Sequence, residues 1–372
     1  MGVKQVARNT TPLCFLPDGR LLCYHRGKVL ILHEGKVEKI LACFASTPDR
    51  FLGWSRLVSR LLRLGVRAAI AIDNEIVVMS IGNRLYELNL KTGDLSKGYT
   101  CESGVRPLTF TSIYSLVGFE DGVYFGGYIR NPDMNSVRIY HRIGVDEWKV
   151  IYSFPDGVIN HVHNIIPDPF RQCVWIMTGD FDDAAAIWQA KNGFSKVKRI
   201  GGGDQLWRGC IAFVISEGLL YATDTPFAKN HILLMKEDGS TDSLGEISGS
   251  CIYGCRWGNR FVFSTTVEGD GRDETVYKLL FSRKTGSGII DKYVRMYMGC
   301  LSEGFNVVYK ERKDVWPFLF QFGAFKFPAG ENRGDTLYFQ PIATKSNDLR
   351  LMALNINVLD KCNQPTIKEK IT

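Results

Sequence analysis

The chain has 372 residues, with 46 lysines and arginines against 39 aspartates and glutamates and a formal net charge of +7. Hydrophobic residues make up 45% and aromatics 12%, ample for sheet packing, yet no run of about 18 apolar residues offers a transmembrane helix. The charge allows an anionic partner, but no basic stripe is interleaved with stacking aromatics, which argues against nucleic acid.

In chain order, the first ten residues lack the apolar centre of a secretory leader. Leu13-Cys-Phe-Leu-Pro-Asp-Gly-Arg-Leu-Leu-Cys-Tyr24 and residues 28–33 read as strands, with Asp18-Gly19 as a hairpin turn. Residues 47–70 then read as a helical insertion, with Thr47 as cap and Pro48 in the first turn. Arg56, Arg60, Arg63 and Arg67 are spaced to share one face of that helix, beside an apolar stripe of Trp54, Leu57, Leu61, Leu64 and Ala68. Such a face suits an anionic lipid surface or a protein partner, or else simply solvent around a helix packed on the main body. Strands resume at 75–79 and 84–90, closed by a Lys91-Thr-Gly-Asp94 turn.

Four segments then repeat one another: Val123-Tyr-Phe-Gly-Gly-Tyr128, Trp175-Ile-Met-Thr-Gly-Asp180, Leu220-Tyr-Ala-Thr-Asp224 and Phe261-Val-Phe-Ser-Thr-Thr266. Each is followed by a second apolar run, at 137–140, 185–188, 231–234 and 275–279. A weaker copy begins at Leu337. Anchors at Leu22, Val77, Phe125, Ile176, Tyr221, Phe263 and Tyr338 lie 42 to 55 residues apart, except for a final gap of 75. Short strands repeated at that period predict an all-β fold. We expect one β-propeller domain over residues 1–372, of seven four-stranded antiparallel blades, with an insertion or an eighth blade in the last gap.

A blade's first strand starts, and its second strand ends, on the same face near the central channel. His161 and His163, two apart on the fourth blade's first strand, point to one side, and Asp180 follows that blade's second strand. The rule adds Tyr128 and Arg130 from the third blade and Trp207, Arg208 and Asp224 from the fifth. Glu268 and Asp270 come from the sixth. Convergence of polar groups from several blades is what a binding or catalytic site requires. The histidine pair could act as a base, contact a sugar, hold a divalent metal or serve structure alone; spacing supplies no third metal ligand. Asp180 and Asp224 could equally cap turns. Ten cysteines without a C-x-x-C pair, mostly in apolar runs, point to buried free thiols and a cytoplasmic location.

His161-Val-His-Asn-Ile-Ile-Pro-Asp-Pro169 and Trp175-Ile-Met-Thr-Gly-Asp180 resemble segments of bacterial β-propellers of the sialidase-like, BNR-repeat glycosidase group, over roughly residues 110–280. That resemblance implies a Tyr128/Glu268 nucleophile pair, Asp180 as acid and Arg208 gripping a carboxylate. Similarity to propeller polysaccharide lyases implies instead His161 or His163 as base, Tyr128 as acid and Arg208 neutralising a uronate. The expected function is therefore binding, and cleavage by a lyase or glycosidase route, of an anionic glycan. Asp180, Asp224, Trp207, Glu268 and Arg130 would contact it. The alternative is a non-catalytic interaction or scaffold propeller, peripheral to a membrane through the arginine helix and linked to surface glycan assembly.

Overall fold

The computed structural model describes residues 2–42, 52–269, 275 and 280–355. Seven four-stranded antiparallel sheets form the blades of a propeller. The first is β2 (Thr11–Phe15), β3 (Leu21–His25), β4 (Lys28–His33) and β5 (Lys36–Ala42); the second is β6 (Val66–Ala71), β7 (Ile76–Ile81), β8 (Arg84–Asn89) and β9 (Tyr99–Thr100). The third holds β10 (Thr111–Ile113), β11 (Gly122–Gly126), β12 (Val137–Gly144) and β13 (Glu147–Phe154). The fourth holds β14 (His161–Asp168), β15 (Cys173–Gly179), β16 (Ala186–Lys191) and β17 (Lys196–Gly202). The fifth holds β18 (Gly209–Ile215), β19 (Gly218–Thr223), β20 (Asn230–Met235) and β21 (Thr241–Ile247). The sixth holds β22 (Cys251–Trp257), β23 (Arg260–Thr265), β24 (Tyr293–Cys300) and β25 (Gly304–Arg312). The seventh joins β26 (Ala324–Lys326), β27 (Thr336–Ile342) and β28 (Arg350–Asn355) to β1 (Gly2–Arg8), the first strand of the chain. Pairing of β1 with β28, from Gly2 opposite Asn355 to Arg8 opposite Arg350, closes the ring and covers what would be an open sheet edge.

Alternation along each second strand builds the core. On β15, Val174 and Ile176 pack toward the third blade, while Cys173, Trp175 and Met177 pack toward the fifth. Both faces are apolar because a blade lies between two neighbours. Each interface between adjacent blades accordingly holds its own buried cluster, and the ring closes through Leu21 and Leu30 of the first blade against Tyr338 and Leu351 of the seventh. Trp175 is fully buried, and its indole donates to Asp168 at 2.8 Å, so the one polar atom on that ring is satisfied.

All seven sequence anchors fall on second strands, and the blade number is seven. Two local expectations need correction. The run at 275–279 is not the third strand of the sixth blade; that strand is β24, beginning at Tyr293, so the long last gap is an insertion between β23 and β24. Residues 276–279 lie outside the described residues, as do 43–51 with the proposed Thr47 cap. The expected helix over 47–70 is also too long. Among the described residues the α-helix is α1 (Arg56–Leu61), capped by Ser55, whose hydroxyl accepts from the Val58 N–H. Gly65 then takes a left-handed conformation (φ 95°), with Tyr24 against it so closely that a Cβ would lie 2.7 Å from the ring. Residues 66–71 leave the helical path and become β6, pairing Ile70 with Val78. The second blade needs an innermost strand, and that tertiary demand overrides the helical spacing of the apolar residues.

The four arginines consequently do not share a helical face. Arg56 is exposed, Arg60 is buried, Arg63 follows the helix and Arg67 belongs to β6. Arg60 ties α1 to the ring: its Nε donates to the Phe320 carbonyl at 2.6 Å, and its Nη1 reaches Asp314 and, at 3.2 Å, Asp348. No helix among the described residues is long and apolar enough to cross a membrane. Eight cysteines in this part of the chain are buried; Cys43 and Cys362 lie outside it.

Candidate functional site

A cavity of about 340 Å³ opens at the channel mouth and draws residues from every blade, among them Tyr24, Arg67, Tyr128, Asp180, Arg208, Glu268 and Lys326. One backbone register recurs around it. The Asp224 N–H bonds to the Arg208 carbonyl at 2.9 Å, Tyr128 to Arg106 at 2.8 Å and Thr266 to Ser250 at 2.7 Å. In these three blades a residue ahead of the first strand sits beside one just after the second, and the Arg106/Tyr128 and Arg208/Asp224 pairs both line the cavity.

His161 and His163 are nearly fully buried, and their Nε2 atoms lie 2.9 Å apart. His161 Nδ1 bonds to the Ile129 carbonyl at 3.0 Å and His163 Nδ1 to the Gly209 carbonyl at 2.9 Å. The close approach of the second ring needs Gly179, where a Cβ would sit 2.3 Å from His163 Cε1. Asp180 faces both rings, its Oδ1 at 3.2 Å from His163 Nε2 and its Oδ2 at 3.4 Å from His161 Nε2. Arg208 grips Asp180 twice, at Oδ1 (3.0 Å) and at the backbone carbonyl (3.1 Å), and its Nε lies 3.6 Å from Asp224. Burial works to raise the Asp180 carboxyl, but above all the Arg208 guanidinium outweighs it and holds it well below the usual carboxylate range. Asp224 is buried and accepts from the Cys210 thiol at 3.1 Å. Burial, reinforced by the Asp224 charge, lifts the Glu268 carboxyl to about 7, while the Thr266 hydroxyl donates to it at 2.9 Å.

Tyr128 stacks obliquely on His161, with ring centroids 4.4 Å apart. The structure therefore brings together His161, His163, Tyr128, Asp180, Arg208, Asp224 and Glu268. Trp207 and Arg130 stand apart. Trp207 lies over Gly201 and packs with the core between the fourth and fifth blades, and Arg130 is exposed and does not line the cavity. Asp270 lies outside the described residues.

Sequence reasoning put Arg63 and Arg67 on a helix face and did not name Arg106 or Lys326, so this cationic wall of the cavity was missed. Arg63, Arg67, Arg106 and Lys326 line it, and among the described residues none forms an ion pair with a carboxylate. Lys326 Nζ donates instead to the Arg67 carbonyl at 2.9 Å, and Arg67 Nε is buried without a partner. Burial pushes the Arg67 guanidinium down to about 10, with Arg106 and Arg63 adding repulsion. Burial, with Arg67 beside it, pushes the Lys326 ammonium down to about 8. A partial signal for Arg106 was present in the repeat: it lies a few residues ahead of the third blade's first strand, where Arg208 immediately precedes the fifth's. The cavity lining thus combines carboxylates and imidazoles with cations that, among the described residues, form no ion pair with a carboxylate.

No protein-family model matches the chain, and no curated protein sequence does, so the sialidase-like kinship expected above has no support from a sequence family. Solved structures do match in fold. The β-propeller domain of Cps50 (Swd1) from Myceliophteria thermophila superposes with a TM-score of 0.55 at 8% identity, covering 96% of this chain and 99% of that one. The AfRom2 CNH domain gives 0.53 at 6% identity, with the same coverage. A chain of the mitotic checkpoint complex gives 0.53 at 8%, covering 95% and 93%. At such identities the likeness extends to architecture alone: the chain is a seven-bladed β-propeller.

Proposed function

We propose that this propeller is a binding module whose central cavity captures a small anionic ligand, an acidic sugar being the class that fits best. The observation carrying this reading is the wall of Arg63, Arg67, Arg106 and Lys326, crowded cations that no carboxylate of the described chain neutralises. Like charges crowded in a half-buried wall are costly unless a counter-charge arrives, and a ligand carboxylate or phosphate supplies one. Guanidinium forks match such oxyanions bidentately. Tyr24, Tyr128 and Tyr253 give the same cavity flat apolar faces suited to a sugar ring. Its volume of about 340 Å³ is at the small end of ligand sites, ~300–1,000 Å³, and suits one or two rings. A binding role also accords with a fold that one similar chain carries within an assembly, the mitotic checkpoint complex.

Arg208 is engaged by Asp180 and Asp224, which supports a positioning role for it rather than that of a free uronate clamp. Cleavage remains a second reading on one observation, the contact of Tyr128 with His161 beside the cavity, an acid next to a base. Calorimetric titration with galacturonate oligosaccharides and their neutral counterparts tests the proposal. Binding should be confined to the acidic series and weaken by about 10- to 100-fold in Arg67→Gln and Arg106→Gln, the worth of a charge-assisted hydrogen bond. Equal binding of neutral and acidic sugars, or none of either, refutes it. An unsaturated, ultraviolet-absorbing product in the same samples would establish elimination.

A further inference from the structure

We infer that His161, His163 and Asp180 form a binding site for one divalent transition-metal ion, with an open coordination position facing the central cavity. A backbone carbonyl can only accept, so the bonds to Ile129 and Gly209 place a hydrogen on Nδ1 of both imidazoles. In their neutral forms both rings then present bare lone pairs at Nε2. These two atoms meet at 2.9 Å, and the Asp180 oxygens approach the same point at 3.2 and 3.4 Å. Two ring acceptors and a carboxylate converge there, the carboxylate also accepting from Arg208 at 3.0 Å, and a single cation among them would engage all three.

The spacing selects a metal. Ligands held ~2.0–2.1 Å from a tetrahedral zinc ion stand about 3.3 Å apart, which matches the 3.2 and 3.4 Å carboxylate separations, while the 2.9 Å between the rings is shorter. The Nδ1–carbonyl bonds also orient the rings in the manner usual for metal-bound histidine. Two imidazole nitrogens and one carboxylate form a donor set for zinc and its first-row neighbours. Access is present, because Asp180 keeps 25% of its side chain exposed and, with His163, lines the cavity. The adjoining trio of His163, Cys210 and Asp224 is the weaker candidate, since its thiol already donates to its carboxylate. Arg208 adds one positive charge nearby, and the Asp180 and Asp224 carboxylates offset it. The site stands on donor geometry and holds whether or not an anion binds the cationic wall.

The test uses the full chain, stripped with a chelator and titrated calorimetrically with zinc and manganese chlorides, with cobalt(II) followed by visible absorption. The expected result is one ion per chain and cobalt bands of a low-coordinate nitrogen–oxygen site. Affinity should fall more than about tenfold in Asp180→Asn and be lost in His161→Ala and His163→Ala. Wild-type protein that binds none of the three ions overturns the inference, as does unchanged stoichiometry and affinity in Asp180→Asn. Neither result depends on the histidine variants folding, and neither involves the sugar titration.

Discussion

Lys326 gives the cationic wall its most direct physical test, because its ammonium sits against Arg67 with the Arg67 carbonyl as its hydrogen-bond acceptor. Burial, then the Arg67 charge, lowers it from 10.5 to about 8. At ~1.36 kcal/mol per pKa unit, the charged lysine costs the native state about 3 kcal/mol, an upper value because the side chain is partly exposed. Lys326→Met keeps the apolar stem and removes the charge, at the expense of one hydrogen bond worth about 1 kcal/mol. The variant should therefore be more stable than wild type by about 2 kcal/mol at neutral pH. The pH dependence follows from the direction of the shift. Below the folded value of about 8 both states of wild type are charged and the full penalty applies; between there and 10.5 the folded lysine is neutral while the unfolded one still binds its proton, so wild type recovers stability as pH rises. Urea denaturation at pH 7 and about 9.5 should show the advantage shrinking to under about 1 kcal/mol. A variant less stable than wild type at pH 7, or an advantage that persists unchanged at the higher pH, refutes the reasoning.

Glu268 behaves in the opposite sense. Its carboxyl is raised from 4.5 to about 7, by burial first and Asp224 next, so ionisation is penalised only in the folded state. Glu268→Gln should match wild type below about pH 4.5 and exceed it in denaturation midpoint above about pH 7; a difference independent of pH would rule this out. On the rim helix, Arg60→Ala leaves the buried Asp348 with only the exposed Arg56 and the Ala343 N–H as partners and should cost about 3 kcal/mol by chemical denaturation. Arg56→Ala, one turn earlier and with a side chain 58% exposed, should change stability by less than about 1 kcal/mol. Similar losses from the two substitutions would mean that Arg60 does not anchor α1.

Much of the architecture was legible because blades are local objects. Period-two alternation and turn glycines act over a few residues, so Leu22, Val77 and the five later anchors could be placed on second strands from the sequence. The same alternation put His161 and His163 on one side, and the rule for strand ends put Asp180, Arg208 and Asp224 on their face. Where spacing was ambiguous, the reading erred. Residues 66–71 carry helical and strand periodicity at once, and the need for an innermost strand decided between them. The third strand of the sixth blade was misplaced because an insertion separates it from its partner, and no local signal spans that length.

By itself, then, the sequence determined the repeat and one polar face, and favoured seven blades while leaving an eighth open, all consequences of contacts between near neighbours in the chain. Only the tertiary structure decided how that face is charged. Lys326 meets Arg67 across 259 residues, and Arg106 joins them from a third blade. Ring closure brings these side chains together, and their repulsion and lost hydration exist only once it has done so. The convergence of two imidazole lone pairs on a carboxylate is of the same kind. It depends on which carbonyl each Nδ1 finds, and those carbonyls come from the blades on either side.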